Sequence, residues 1–224
     1  MPFRLRENLS FCFAGDTAVF LDIEADRYFC VPDETAAALR SLAEGQALAH
    51  GEVAALQTLL SRGLLIHHED DTISSVWPAT LSQPDSEIQD STGKGIPILA
   101  TAYAGLATRR MVSRLKREPL RAILLQLRAR KPFPNEVPLA RAEVFLQRTA
   151  SAFAHSQLFV ASEDRCLARS LAIVSVCYER GVVPSLAVGV RTSPFTAHCW
   201  AQIGTRVLND SAEHASQFTP VLVL

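Results

Sequence analysis

Cys166, His198 and Asp210 are the residue types from which a nucleophilic acyl-transfer site can be assembled, and all three lie in the last third of the chain. Cys166 follows Asp164-Arg165 and precedes Leu167, Leu171, Val174 and Tyr178, apolar residues at helical spacing. The spacing predicts a helix opening near Arg165 and closing at Gly181, with Cys166 in its first turn. A helix start carries positive partial charge and free N–H groups, which favour a thiolate over a thiol. Those N–H groups can also hold a developing oxyanion. Arg165 and Arg169 add positive charge nearby. Cys177 lies eleven residues further along this helix, about 16 Å by helical rise, and is assigned to the core.

His198 and Asp210 flank Gly204-Thr205, a turn between two predicted strands, Ala197 to Ile203 and Arg206 to Asn209. A two-residue loop pairs Ile203 with Arg206 and sets Cys199 opposite Asp210. A three-residue loop sets His198 opposite Asp210. Either register makes the two direct or near cross-strand neighbours, with directly paired Cβ atoms about 5 Å apart. A carboxylate there fixes the imidazole tautomer and stabilises the imidazolium. Strand alternation groups His198, Trp200 and Gln202 on one face, and this face is expected to meet the Cys166 helix, with Trp200 covering the site. Cys199 points to the other face, so a metal site built from Cys166, His198 and Cys199 is not expected. The adjacent pair His67-His68 lacks chelating spacing, and neither a metal nor a cofactor is expected.

The elements upstream divide in two. Near the N-terminus, Phe11-Cys12-Phe13, Ala18 to Asp22 and Tyr28 to Val31 read as three short strands separated by turn signals. Asp33 is the expected N-cap of a helix ended by Gly45. A second helix from about Gly51 to Arg62 has Val53, Leu56, Leu59 and Leu60 inward, and Leu64-Leu65-Ile66 enters an edge strand or wing. Residues 68–95, rich in Ser, Thr, Asp, Gly and Pro, read as a linker in which 81–95 separates a first domain, 1–80, from a second, 96–224. The second opens with three predicted helices: Ile96 to Leu115, Leu120 to Arg130, and Leu139 to His155, the last with Val144, Phe145 and Ala152 inward. The fold class is therefore α+β.

Composition narrows the function further. The 224 residues are 48% hydrophobic and 20% charged, enough for a packed core. Residues 1–80 carry 5 basic and 12 acidic side chains, a net of −7, whereas residues 81–224 carry a net of +6. The acidic first unit opposes phosphate contacts, so nucleic acid is not an expected partner. No apolar run reaches the roughly 20 residues of a membrane span, and the N-terminus lacks signal-peptide features. Five cysteines at irregular spacing argue against a disulfide framework. A cytoplasmic protein is expected, in which a thiol stays reduced.

The stretch from Asp164 to Asp210 carries Arg-Cys-Leu-x-Arg-Ser, then Gly-Val, Ala-His-x-Trp and Val-Leu-Asn-Asp. In this order it resembles the lasso peptide biosynthesis B proteins, papain/transglutaminase-like cysteine leader peptidases. The resemblance implies Cys166 as nucleophile, His198 as base and Asp210 as orienting carboxylate. It further implies hydrolysis of the leader–core bond of a ribosomal precursor peptide, and a partner cyclase resembling asparagine synthetase. The N-terminal strands and helices resemble a PqqD-like, winged-helix RiPP recognition element, which implies leader binding by strand addition. Tyr28, Cys30, Leu56 and Leu60 are the residues expected to line that groove. An amide-transferring enzyme and a leader-binding adaptor are the alternatives.

Overall fold

The computed structural model describes residues 3–67, 76–89, 98–133, 139–157 and 165–224. It divides into two compact units, 1–80 with 219–222, and 81–218 with 223–224. Asp164, expected at the start of the Cys166 helix, and the expected linker residues 68–75 and 90–95 lie outside the described residues.

The first unit begins with β1 (Phe3–Leu5), β2 (Leu9–Ala14), β3 (Thr17–Asp22) and β4 (Arg27–Cys30), followed by α1 (Asp33–Ala43), α2 (His50–Ser61) and β5 (Leu65–His67). β2, β3 and β4 form an antiparallel meander in which β4 is an edge, and β1 pairs antiparallel with β5. Pairing of Phe11 with Phe20 and of Phe20 with Phe29 sets three rings in a row across the strands. Their centroids are 5.3 and 5.1 Å apart. Such cross-strand aromatic pairs add to the area they bury. Ala36, Leu39, Leu42, Leu56 and Leu59 close the core over them.

Two details differ from expectation. Asp33 is the first helical residue and Pro32 the cap, because proline's fixed φ suits a helix entry and supplies no competing N–H. Asp33 and Glu34 instead place negative charge in the positive first turn. Val53 is 38% exposed, since the short α2 buries only the Leu56–Leu59 stripe.

The second unit contains β6 (Ser86–Glu87), α3 (Ile98–Leu115), α4 (Leu120–Ala129), α5 (Leu139–Ser156), α6 (Cys166–Tyr178), β7 (Ser185–Thr192), β8 (Phe195–Ile203), β9 (Arg206–Val207) and α7 (Ala212–Ala215). The chain closes in β10 (Thr219–Val223). β7, β8 and β9 are antiparallel, β6 joins β9 in parallel, and Leu224 exchanges both backbone hydrogen bonds with Leu186. Residues at the start of the expected 81–95 linker therefore belong to this unit's sheet. Polar composition concealed β6, a two-residue strand with both side chains exposed. Among the described residues, no helix is long and apolar enough to cross a membrane.

α6 supplies the centre of this unit, with Leu171, Ile173, Val174 and Cys177 fully buried. On α5 the buried residues are Leu146, Thr149, Ala150, Ala152, Phe153 and Ser156. Val144 is 44% exposed, one position off that stripe, contrary to expectation. A bidentate pair from Arg206 to Glu143, at 2.9 and 2.8 Å, ties β9 to α5.

A second cluster gathers Trp200, Ala187, Val207, Ala215 and Phe218, with Trp200 fully buried. Gly189 is required here. A Cβ at this position would lie 2.7 Å from the Trp200 ring and 2.8 Å from Phe218 Cβ. Gly189→Ala is therefore expected to cost about 1–3 kcal/mol by overpacking, read as a lowered thermal unfolding midpoint. An unchanged midpoint would show that the Trp200 ring can shift without loss.

Candidate active site

Local sequence places the three polar groups on separate elements. α6 starts at Cys166, with Arg165 as its cap residue. β8 carries His198. Asp210 lies just beyond β9. The β8–β9 loop has two residues: Ile203 pairs with Arg206 and Gln202 with Val207, and Leu208 N–H still reaches Ala201 O at 2.9 Å. The ladder then ends. Asn209 takes the next position with its side chain, its Oδ1 accepting from Ala201 N–H at 2.8 Å. The chain turns there, and Asp210 meets His198 instead of standing opposite Cys199.

His198 Nε2 donates to Asp210 Oδ2 at 2.5 Å. Cys166 and His198 face the same cleft, close enough for each to shift the other's pKa. With Nε2 committed to Asp210, Nδ1 is the ring nitrogen left to serve the thiol. The structure thus brings together all three residues singled out in the sequence. They line a cleft of about 590 Å³ together with Arg169, Asn209, Glu87 and Gln89.

The electrostatics favour separated charge. Burial pushes the Cys166 thiol up, but the His198 hydrogen bond and charge, with the N–H groups of Cys199 and Leu167, leave its pKa lowered. Burial pulls His198 down, yet its bonds and charge contacts with Asp210 and Cys166 raise it to about 9. Burial works against the Asp210 carboxylate, and donors from His198, His214 and Ser211 outweigh it, so its pKa is lowered. Each of these shifts favours a thiolate–imidazolium pair beside an ionised carboxylate. Burial lowers the Arg169 pKa, opposed by the charges of Cys166 and Asp210.

The expected packing face needs correction. Trp200 does not lie between His198 and α6; it sits in the cluster with Phe218 and Ala215. Its indole N–H donates to Gln202 at 2.7 Å, inside the sheet's own polar network. α6 instead meets β8 through Ser170, whose Oγ lies 2.8 Å from Cys166 O and 2.9 Å from Cys199 O. Asn209 Nδ2 donates to that hydroxyl at 2.9 Å. Ser170 is fully buried and Asn209 bonds both sides, so these two residues clamp α6 to β8.

Sequence reasoning had no role for this clamp or for His214. The signals were present: Ser170 lies one turn after Cys166, Asn209 precedes Asp210, and His214 follows Asp210 at i,i+4. Ser170→Ala should leave Asn209 with an unpaired, half-buried donor. We expect a stability loss of about 1–3 kcal/mol, measured by denaturant unfolding, and slower alkylation of Cys166. No change in either quantity would remove the clamp.

The expected groove residues are more scattered. Tyr28 and Cys30 lie on the edge strand β4, half-buried and exposed respectively. Leu60 is half-buried against the core. Leu56 is completely buried, packed within the first unit's core, so it presents no surface to a peptide groove.

A transglutaminase-like superfamily model matches residues 105–223, the segment that contains this whole arrangement. The chain belongs to that superfamily. It is also similar to the microcin J25-processing protein McjB of Escherichia coli, 34% identical over 77 residues. That match covers 34% of each protein, so the chain spans about a third of the length of the curated relative. No solved structure matches the chain.

Proposed function

We propose that this protein is a cysteine peptidase of lasso peptide maturation, which binds the leader of a ribosomal precursor and hydrolyses the leader–core bond. The observation that carries the reading is Cys166–His198–Asp210, assembled along a cleft in a transglutaminase-like domain. Similarity to a microcin-processing protein supports the substrate class.

In this reading the Cys166 thiolate attacks the carbonyl of the last leader residue. The backbone N–H of Cys166, at the positive start of α6, is our proposed oxyanion donor. His198 Nδ1 then gives its proton to the leaving amine, which becomes the α-amino group of the core. The thioester is hydrolysed by a water that returns a proton to His198, and the leader departs as a carboxylic acid. Asp210 holds the imidazole throughout. The freed core amine is the group a partner cyclase resembling asparagine synthetase would consume.

The first unit is proposed as the leader-recognition element. Edge strand β4, with Tyr28 and Cys30 upon it, supports peptide capture by strand addition, with Leu60 at the margin.

The test is incubation of the full chain with a precursor peptide encoded beside it, read by mass spectrometry. Two fragments meeting at one bond are expected. The rate should fall as pH rises through about 9, where His198 loses the proton it must donate. A precursor left intact by folded protein would overturn the reading.

A further inference from the structure

We propose that His214 is a positioning residue of this site: its Nδ1–H anchors the Asp210 carboxylate, which in turn fixes the His198 ring. The proposal rests on the triad reading above.

Geometry carries it. His214 Nδ1 lies 2.8 Å from Asp210 Oδ2, the same oxygen that accepts from His198 Nε2. An ionised carboxylate has no proton to offer, so His214 is the donor and carries hydrogen on Nδ1. Asp210 Oδ1 accepts from Ser211 N–H at 2.8 Å. Both lone pairs of one oxygen and one of the other are thereby filled. Rotation of the carboxylate would break several bonds together, so the plane presented to His198 is fixed.

His214 is itself held in place. It lies in α7, where its N–H donates to the Ser211 hydroxyl cap at 3.1 Å. Its ring stands edge-on to His198, centroids 4.7 Å apart, and edge-on to Phe218 at 5.2 Å. The side chain is 47% exposed, so burial does not explain a histidine here.

Two effects can be separated by substitution. His214→Phe keeps a ring against His198 and Phe218 but has no donor. His214→Asn loses the ring but places an amide N–H where Nδ1 stood. The readout is the alkylation rate of Cys166 by iodoacetamide at pH 7 in the full chain, resolved from Cys30 by peptide mass mapping. It reports thiolate formation whatever the substrate proves to be, so failure of the leader-hydrolysis reading and failure of this proposal are distinguishable.

The Phe variant should react about tenfold more slowly, near the lower end of the effect of losing one hydrogen bond to a charged group. The Asn variant should stay within about twofold of wild type. Where precursor cleavage is measurable, kcat should fall with KM unchanged. A Phe variant that reacts like wild type, or an Asn variant as slow as Phe, would overturn the proposal. Thermal unfolding of each variant confirms that the fold is kept.

Discussion

Cys166→Ala is expected to reduce precursor hydrolysis by about four orders of magnitude or more, while leader binding persists. In the proposed mechanism the substitution removes the nucleophile and leaves His198 without the thiol with which it exchanges a proton. It removes little else, because Cys166 is half-buried at a helix start and alanine suits that position. The three buried cysteines are poor stand-ins. Burial raises the pKa of Cys12 and Cys177 to about 12, and pushes that of Cys199 up as well. Single-turnover mass spectrometry and a leader titration on the same variant make the measurement. Cleavage at the wild-type rate would refute Cys166 as nucleophile, and loss of binding alongside cleavage would point to a damaged fold.

Asp210→Asn should preserve the fold and lower turnover by about 10²- to 10⁴-fold. The carboxylate receives three donors, from His198, His214 and Ser211. An amide supplies one oxygen and one NH₂, so either orientation sets a donor against a donor. If the NH₂ faces His198, it donates to Nε2 and moves the ring proton to Nδ1, the wrong tautomer for accepting the thiol's proton. The stabilising charge is also lost. Since Asp210 helps raise the His198 pKa to about 9, its removal lowers that pKa, and the alkaline limb of the rate profile should move to lower pH. Rate profiles and circular dichroism decide. An unchanged profile would remove Asp210 from the mechanism.

Periodicity and punctuation made much of the architecture readable. α3, α4, α5 and α6 show apolar residues at helical spacing, and β7 and β8 are continuous runs between turn signals. The expected Ile96 to Leu115 helix corresponds to Ile98–Leu115, and Leu120 to Arg130 to Leu120–Ala129. Short elements were not readable. β6 spans two residues and α7 four, too few for either period to register; β6 is held by a strand distant in sequence, and α7 by its Ser211 cap and by Glu87. Groove residues chosen by type met the same difficulty: Leu56 and Leu60 share a helix, yet only packing decides that one is sealed in the core and the other lies at its margin.

What the sequence alone determined is local: a thiol in the first turn of a helix, an imidazole on a strand and a carboxylate at the end of the strand that follows a Gly-Thr turn. Those follow from dihedral preference, apolar spacing and the glycine at the loop, all contained within a few neighbours. Tertiary structure decided which of two registers the hairpin took, and that the ladder ends at Asn209 so that Asp210 swings to His198. It also decided that Ser170 joins helix to strand and that a second histidine completes the shell of donors around the carboxylate. Hydrogen bonds between groups 29 residues apart, such as Ser170 to Cys199, depend on how buried faces stack, and no spacing rule within one segment encodes that choice.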